Sequence, residues 1–290
     1  MTLADALIGP FQEFAFMRRA LVGCLALALG AAPVGVFLML RRMSLLGDVM
    51  AHAILPGAAI GFLIAGLSLL AMTAGGLAAG LMVALLAGLV SRVTPLREDA
   101  SFAAFYLVSL AAGVLIVSVR GSSVDLMHIL FGTVLALDDA ALYLVASIAT
   151  VTVLTIAAIY RGLVAECFDP GFLRAVSRSG PFIHLIFLAL VVLNLVGGFH
   201  ALGTLMVVGI IMLPAVAARF WAGETGSMIG VAFVIALAAS YGGLLLSYHA
   251  NLPSGPAIIL VAGGFCAISM LAGSRGGVLS RLCHRGCREA

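Results

Sequence analysis

The stretch Ser44-Leu45-Leu46-Gly47-Asp48-Val49-Met50-Ala51-His52-Ala53-Ile54-Leu55-Pro56-Gly57 lies inside a run of more than forty otherwise mostly apolar residues. Residues four apart share one helix face, so Asp48 and His52 look into the same space. A carboxylate and an imidazole are costly to keep in a bilayer and mark a functional site by default. The pair reads as a station for a cation.

The surrounding chain sets the class. Its 290 residues are 63% hydrophobic and 9% charged, against about 25% charged in a soluble domain. A membrane helix needs about 20 mostly apolar residues, and nine stretches qualify: 20–40, 47–71, 74–91, 101–119, 141–160, 182–199, 201–218, 227–249 and 256–273. Pro56-Gly57 interrupts the second and Pro214 sits near the end of the seventh, so eight crossings also fit. The expected fold is all-α, a polytopic bundle of eight to nine transmembrane helices.

All 15 basic residues are arginine, and their placement orients the bundle. Arg41, Arg42, Arg92, Arg97, Arg161, Arg174, Arg178, Arg219, Arg275, Arg281, Arg285 and Arg288 fall on one set of alternate connections and the tail. Arg18, Arg19 and Arg120 fall on the other. The positive-inside rule puts the C-terminus in the cytoplasm and the N-terminus outside. Residues 1–19 then form an extracytoplasmic or interfacial segment, 20–273 the transmembrane domain and 274–290 a cytoplasmic tail. Residues 126–137 are apolar but too short to span, which suggests a re-entrant segment facing outward. The inward connection 161–181 carries Asp169 as an N-cap and Pro170 at the first helical position, a signature of a short surface helix able to dock on a soluble partner.

Several chemistries are excluded. A nucleotide-binding P-loop needs a lysine, and the chain has none; any ATP is bound by another polypeptide. A formal charge of +3 reads as membrane topology rather than a nucleic-acid surface. Neither a His-Glu-x-x-His motif nor paired intramembrane aspartates are present for proteolysis. Met1–Met17 lacks the basic n-region of a cleavable signal. The five cysteines form no disulfide framework, and Cys283-His284-x-x-Cys287 offers too few ligands for a firm site. Gly57-x-x-x-Gly61 and Gly76-x-x-x-Gly80 carry the spacing of close helix packing.

These phrases together resemble the permease subunits of zinc and manganese ABC importers, the metal branch of the type II importers. The resemblance covers nearly the whole chain. It is carried by Gly35–Arg42 followed by Ser44–Gly57, by Leu130-Phe131-Gly132, by Phe168-Asp169-Pro170, by Gly203–Arg219 ending Leu213-Pro-Ala-Val-Ala-Ala-Arg219, and by Leu252-Pro-Ser-Gly-Pro256. It implies a homodimer of permeases, two cytoplasmic ATPase subunits that carry the catalysis, and an extracytoplasmic metal-binding protein. It implies no resident cofactor, only a transported zinc or manganese ion, and a coupling helix at 166–178 in which Phe168, Asp169, Pro170 and Arg174 meet the ATPase. The chain departs from common versions at His200 and His249, which favours zinc ahead of manganese.

Asp48 and His52 offer oxygen and nitrogen donors suited to either metal. Alternatively, Asp48 caps the second helix and His52 bonds a neighbour. Two side chains rarely complete a tetrahedral site, so a two-fold axis supplying a second pair, or water, would complete it. Counted from Arg42, the pair falls towards the cytoplasmic half and reads as an exit-side station. His200 and His249, at the outer surface, are candidates for entry, and His128 in the re-entrant segment for a ligand or gate. For each, a plain interfacial histidine bonded to backbone or water is the favoured reading. His184 receives no role. A cation-coupled secondary transporter acting without an ATPase is the competing reading, but it would want more acidic groups near the midplane.

Overall fold

The structure, a computed structural model, describes residues 3–66, 68–95, 98–119, 137–168 and 180–278. Every regular element among the described residues is helical. In chain order these are α1 (Leu3–Glu13), α2 (Ala15–Leu40), α3 (Leu46–Ala53), α4 (Leu55–Ala65), α5 (Leu69–Val93), α6 (Glu98–Val119), α7 (Asp139–Phe168), α8 (Gly180–Leu202), α9 (Thr204–Ala218), α10 (Thr225–Ala250) and α11 (Ser254–Ala272). Among the described residues seven spans are long and apolar enough to cross a bilayer: α2, α3 running into α4, α5, α7, α8, α10 and α11. Two shorter apolar helices, 100–116 within α6 and α9 itself, occupy the fourth and seventh expected stretches. Each of the nine stretches therefore contains helix among its described residues, and seven spans are of full crossing length.

Several boundaries move. The second stretch stops at Ala65 instead of 71, because Gly66 takes φ +63 and Ser68 starts α5 from an extended conformation. That left-handed turn is open to glycine at no steric cost. The seventh helix starts only at Thr204, after Gly203 at φ +88. At the N-terminus α2 begins at Ala15, so Arg18 and Arg19 lie inside it rather than in a segment ending at 19. Ahead of it α1 lies against α10, where Tyr241 donates to the Leu7 carbonyl at 3.0 Å and stacks on Phe11. Helix α7 continues to Phe168, so Arg161–Phe168 are helical and not loop. Leu163 is fully buried in that extension, and its packing holds the helix together past the apolar stretch.

The core forms around α2. Its most apolar window is 78% buried, against 28% for α5 and α7, so α2 is the hub and the others present a face to lipid. It packs on α7, α8, α9 and α10. Gly35 lets the α9 backbone approach at Ile211, a contact any side chain would block. An exposed ion pair, Arg19 to Asp139 at 3.3 Å, joins the starts of α2 and α7 at one end; such a pair adds little stability. The ends of α2 and α7 meet at the other end through Arg41 and Glu166.

Inside the bundle Asn194 of α8 donates to Thr152 Oγ1 of α7 at 2.7 Å and to the Leu190 carbonyl at 2.8 Å. Both side chains are buried. Interhelical hydrogen bonds in membrane proteins contribute roughly 0.6 kcal/mol and rarely above about 1.7. Replacing Thr152 by Val, which keeps the shape, is expected to lower stability by about 1 kcal/mol in denaturant unfolding of the detergent-solubilised protein. An unchanged midpoint would show that Asn194 finds an equivalent partner.

Candidate metal-transport site

Helix α3 is short and held on one side. Leu46, Gly47, Met50, Ala51 and Ala53 are buried, and the helix packs on α5, α6, α8 and α9. Gly47 gives Met212 of α9 room to lie against its backbone. The junction to α4 stays helical at Ile54, whose N–H donates to the Met50 carbonyl and whose carbonyl accepts from Ala58. Pro56 falls in the first turn of α4, where its missing N–H costs little.

The opposite face of α3 is open. Asp48 has 66% of its side chain exposed and His52 has 31%, with Leu45 beside them at 78%. Asp48 Oδ1 and His52 Nε2 are 3.7 Å apart, too far for a good hydrogen bond. Two donors on one tetrahedral ion, each at about 2.1 Å, would stand roughly 3.4 Å apart. The pair is therefore spaced to share an ion after a small side-chain adjustment. His52 Nδ1 is buried with no hydrogen-bond partner among the described residues, and its ring lies 6.1 Å from that of Tyr106. Tyr106 is a neighbour that sequence spacing gave no means of finding.

The packing of α3 on α6 sets the position of the pair along the bundle. Ser109 donates to the Ala53 carbonyl at 3.0 Å, and both Tyr106 and Ser109 lie near the midpoint of α6. His52 is thus level with the middle of α6, with Asp48 one turn, about 5.4 Å, nearer the end where α2 stops. The chain between Arg41 and Leu46 makes a tight turn with Arg42 at φ +60, and α3 starts within the bundle.

The other candidates do not gather around this pair. His249 is exposed in the last turn of α10, its ring 5.3 Å from that of Tyr248. His200 belongs to the final turn of α8 rather than to a loop; its side chain lies outside the description. His128, Asp169, Pro170 and Arg174, the re-entrant stretch 126–136, the coupling stretch 169–178 and the Cys283/His284/Cys287 tail lie outside the described residues. Phe168 is 74% exposed at the end of α7. Among the described residues no group of three or more His, Cys, Asp or Glu converges to hold an ion. Among the described residues Asp48 and His52 thus stand on the open face with no third such group beside them.

Residues 13–273 match the model of the ABC 3 transport family. The chain belongs to the ABC 3 transport family. This family member is 30% identical over 262 residues to the manganese import system permease protein ScaB of Streptococcus parasanguinis, covering 90% of this chain and 92% of that protein. It is 30% identical over 268 residues to the manganese transport system membrane protein MntC of Listeria monocytogenes, covering 92% and 94%. Among solved structures it is similar to PsaBC from Streptococcus pneumoniae in complex with Fab, with a TM-score of 0.83 at 30% identity, covering 96% of this chain and 99% of that one. The resemblance read from Ser44–Gly57 and the later phrases therefore holds. ScaB and MntC are both named for manganese, and neither supports the preference for zinc.

Proposed function

We propose that this ABC 3 family chain is the membrane-spanning permease of an importer for divalent transition-metal ions, working as two copies with a separate ATPase and an extracytoplasmic metal-binding protein. One observation carries the reading: Asp48, 66% exposed, sits on a bilayer-length span facing away from its own bundle. Lipid cannot accept that carboxylate. A second copy related by a two-fold axis would cover the face and bring a second Asp48 and His52, making two oxygens and two nitrogens. Such a mixed set suits manganese as well as zinc. The names of the relatives make manganese the first candidate and zinc the second. An open, shared site also suits transport, since an ion held too tightly does not leave. ATP binding and hydrolysis on the partner would switch the two copies between outward- and inward-facing states, with the C-terminus in the cytoplasm.

The test is uptake of radiolabelled manganese and zinc into cells expressing the permease with its ATPase and binding protein, beside cells in which the ATPase carries an inactive P-loop. Uptake that disappears with the ATPase supports the importer. Uptake that persists would favour the cation-coupled carrier, and accumulation of neither metal would remove the metal reading.

A further inference from the structure

Arg41, Glu166 and His184 come from three helices and meet where α2 ends, α7 ends and α8 begins. A guanidinium nitrogen of Arg41 lies 2.5 Å from Glu166 Oε1, and His184 Nδ1 lies 3.7 Å from the same oxygen. Only 8%, 12% and 13% of the three side chains are exposed. The guanidinium also lies over the Phe187 ring, 5.1 Å from its centroid, and Phe187 meets Phe37 of α2 edge-on. Phe37 in turn meets Tyr160 of α7.

This is a costly way to join three helices. Desolvation offsets most of the attraction in a buried ion pair, and an apolar replacement of similar volume often holds as well or better. Here one Arg41 nitrogen and one Glu166 oxygen have no hydrogen-bond partner among the described residues, which adds to the cost. What charge supplies and grease does not is one register: the planar guanidinium meets the carboxylate in a fixed geometry while stacked on Phe187.

The positions of the three residues say what that register holds. Arg41 is the residue at which α2 stops. Its N–H donates to the Phe37 carbonyl, Met43 N–H reaches back to the Leu38 carbonyl, and Leu46 N–H to that of Met43. Arg42 between them is left-handed. One hydrogen-bonded turn thus leads from Arg41 into α3, whose first turn holds Asp48. Glu166 stands in the last turn of α7 and His184 near the start of α8, the two helices that residues 169–179 connect. We propose that the Arg41–Glu166 pair, braced by His184 and Phe187, is a positioning element that ties the α7 and α8 ends to α3, so that displacement of those ends by the ATPase moves Asp48 and His52. Arg41, Glu166 and His184 are positioning residues in this proposal, since none belongs to the Asp48–His52 pair. The inference rests on the metal-permease reading above.

The experiment uses the complete complex in proteoliposomes and reads manganese uptake and ATP hydrolysis side by side, both per assembled complex. The double variant Arg41→Met/Glu166→Leu removes both charges together and leaves neither buried alone. It is expected to assemble and to hydrolyse ATP, while manganese moved per ATP falls about tenfold, within the range usual for coupling between linked sites. A merely structural role would lower assembly and leave that ratio unchanged. Arg41→Lys keeps the charge and loses only the fork and the stacking. It is expected to lower the ratio by less, and it decides the matter alone if the double variant does not assemble. A wild-type ratio in the variant that assembles overturns the proposal. Asp48→Asn, run in parallel, separates the two readings. If the wild type moves no metal, the metal-permease reading fails; if Asp48→Asn moves as much as the wild type, the Asp48 site fails and the coupling inference falls with it. If both behave as expected and the ratio holds in the Arg41 variants, the coupling inference alone falls.

Discussion

Metal uptake by a complex carrying Asp48→Asn is expected to fall about 100-fold or more. Loss of an outer partner that merely orients a ligand already costs 10–100-fold in affinity or activity, and Asp48 is read as a ligand. Asn keeps the volume and the helix while removing the charge that neutralises a divalent ion. Asp48 is 66% exposed and is not held by its own bundle, so the folding stability of the permease should change by no more than about 0.5 kcal/mol. The combination is diagnostic: transport is lost while melting of the detergent-solubilised chain is unchanged. His52→Ala should also stop uptake but carry some loss of stability, because that ring is half-buried beside Tyr106. His52→Gln is the gentler control. Normal manganese and zinc uptake in an assembled complex with both Asp48→Asn and His52→Ala would rule out this pair as the pathway site.

The second large effect is structural. Gly57 of α4 and Gly75 of α5 face each other so closely that a Cβ on either would run into the backbone carbonyl of the other, and Gly61 meets the Ala71 carbonyl in the same way. A side chain can rotate out of an overlap, whereas a backbone carbonyl in a packed helix cannot. Overpacking a core commonly costs about 1–3 kcal/mol, and Gly57→Val should reach at least the top of that range or separate α4 from α5. Gly230→Ala is the matched control, since nothing lies within 4 Å of the Cβ it would add. Relief of glycine's backbone entropy there should stabilise the helix by about 0.5–1 kcal/mol. Thermal unfolding in detergent measures both. Equal midpoints for the two variants would show that the α4–α5 crossing is not a close-packed contact in the folded protein.

Part of the architecture was legible because bilayer helices advertise themselves. Each of the nine apolar stretches contains helix among its described residues, since a chain in lipid has to satisfy its backbone hydrogen bonds internally. Their ends were less legible, because lipid-facing turns can be as apolar as the helices they join. Residues 66–71 read as one run with the helix before them, whereas Gly66 takes a positive φ and Ser68 is extended. The glycine spacing at 57, 61, 76 and 80 predicted close packing, and the structure places Gly57 and Gly61 against the α5 backbone and Gly76 and Gly80 around Ile54.

The Asp48–His52 pair was readable because both residues sit on one short helix, where spacing alone determines that they share a face. Sequence also determined the membrane class, the helical stretches and the absence of a lysine for nucleotide phosphates. Tertiary structure alone decided that this face turns away from its own bundle, that it lies halfway along α6, and that Arg41, Glu166 and His184 converge. Arg41 and Glu166 are far apart in the chain, and each reads singly as a solvated charge near a membrane surface. Only the packing of α2, α7 and α8 removes water from all three side chains, and burial is what turns ordinary charges into a fixed geometry.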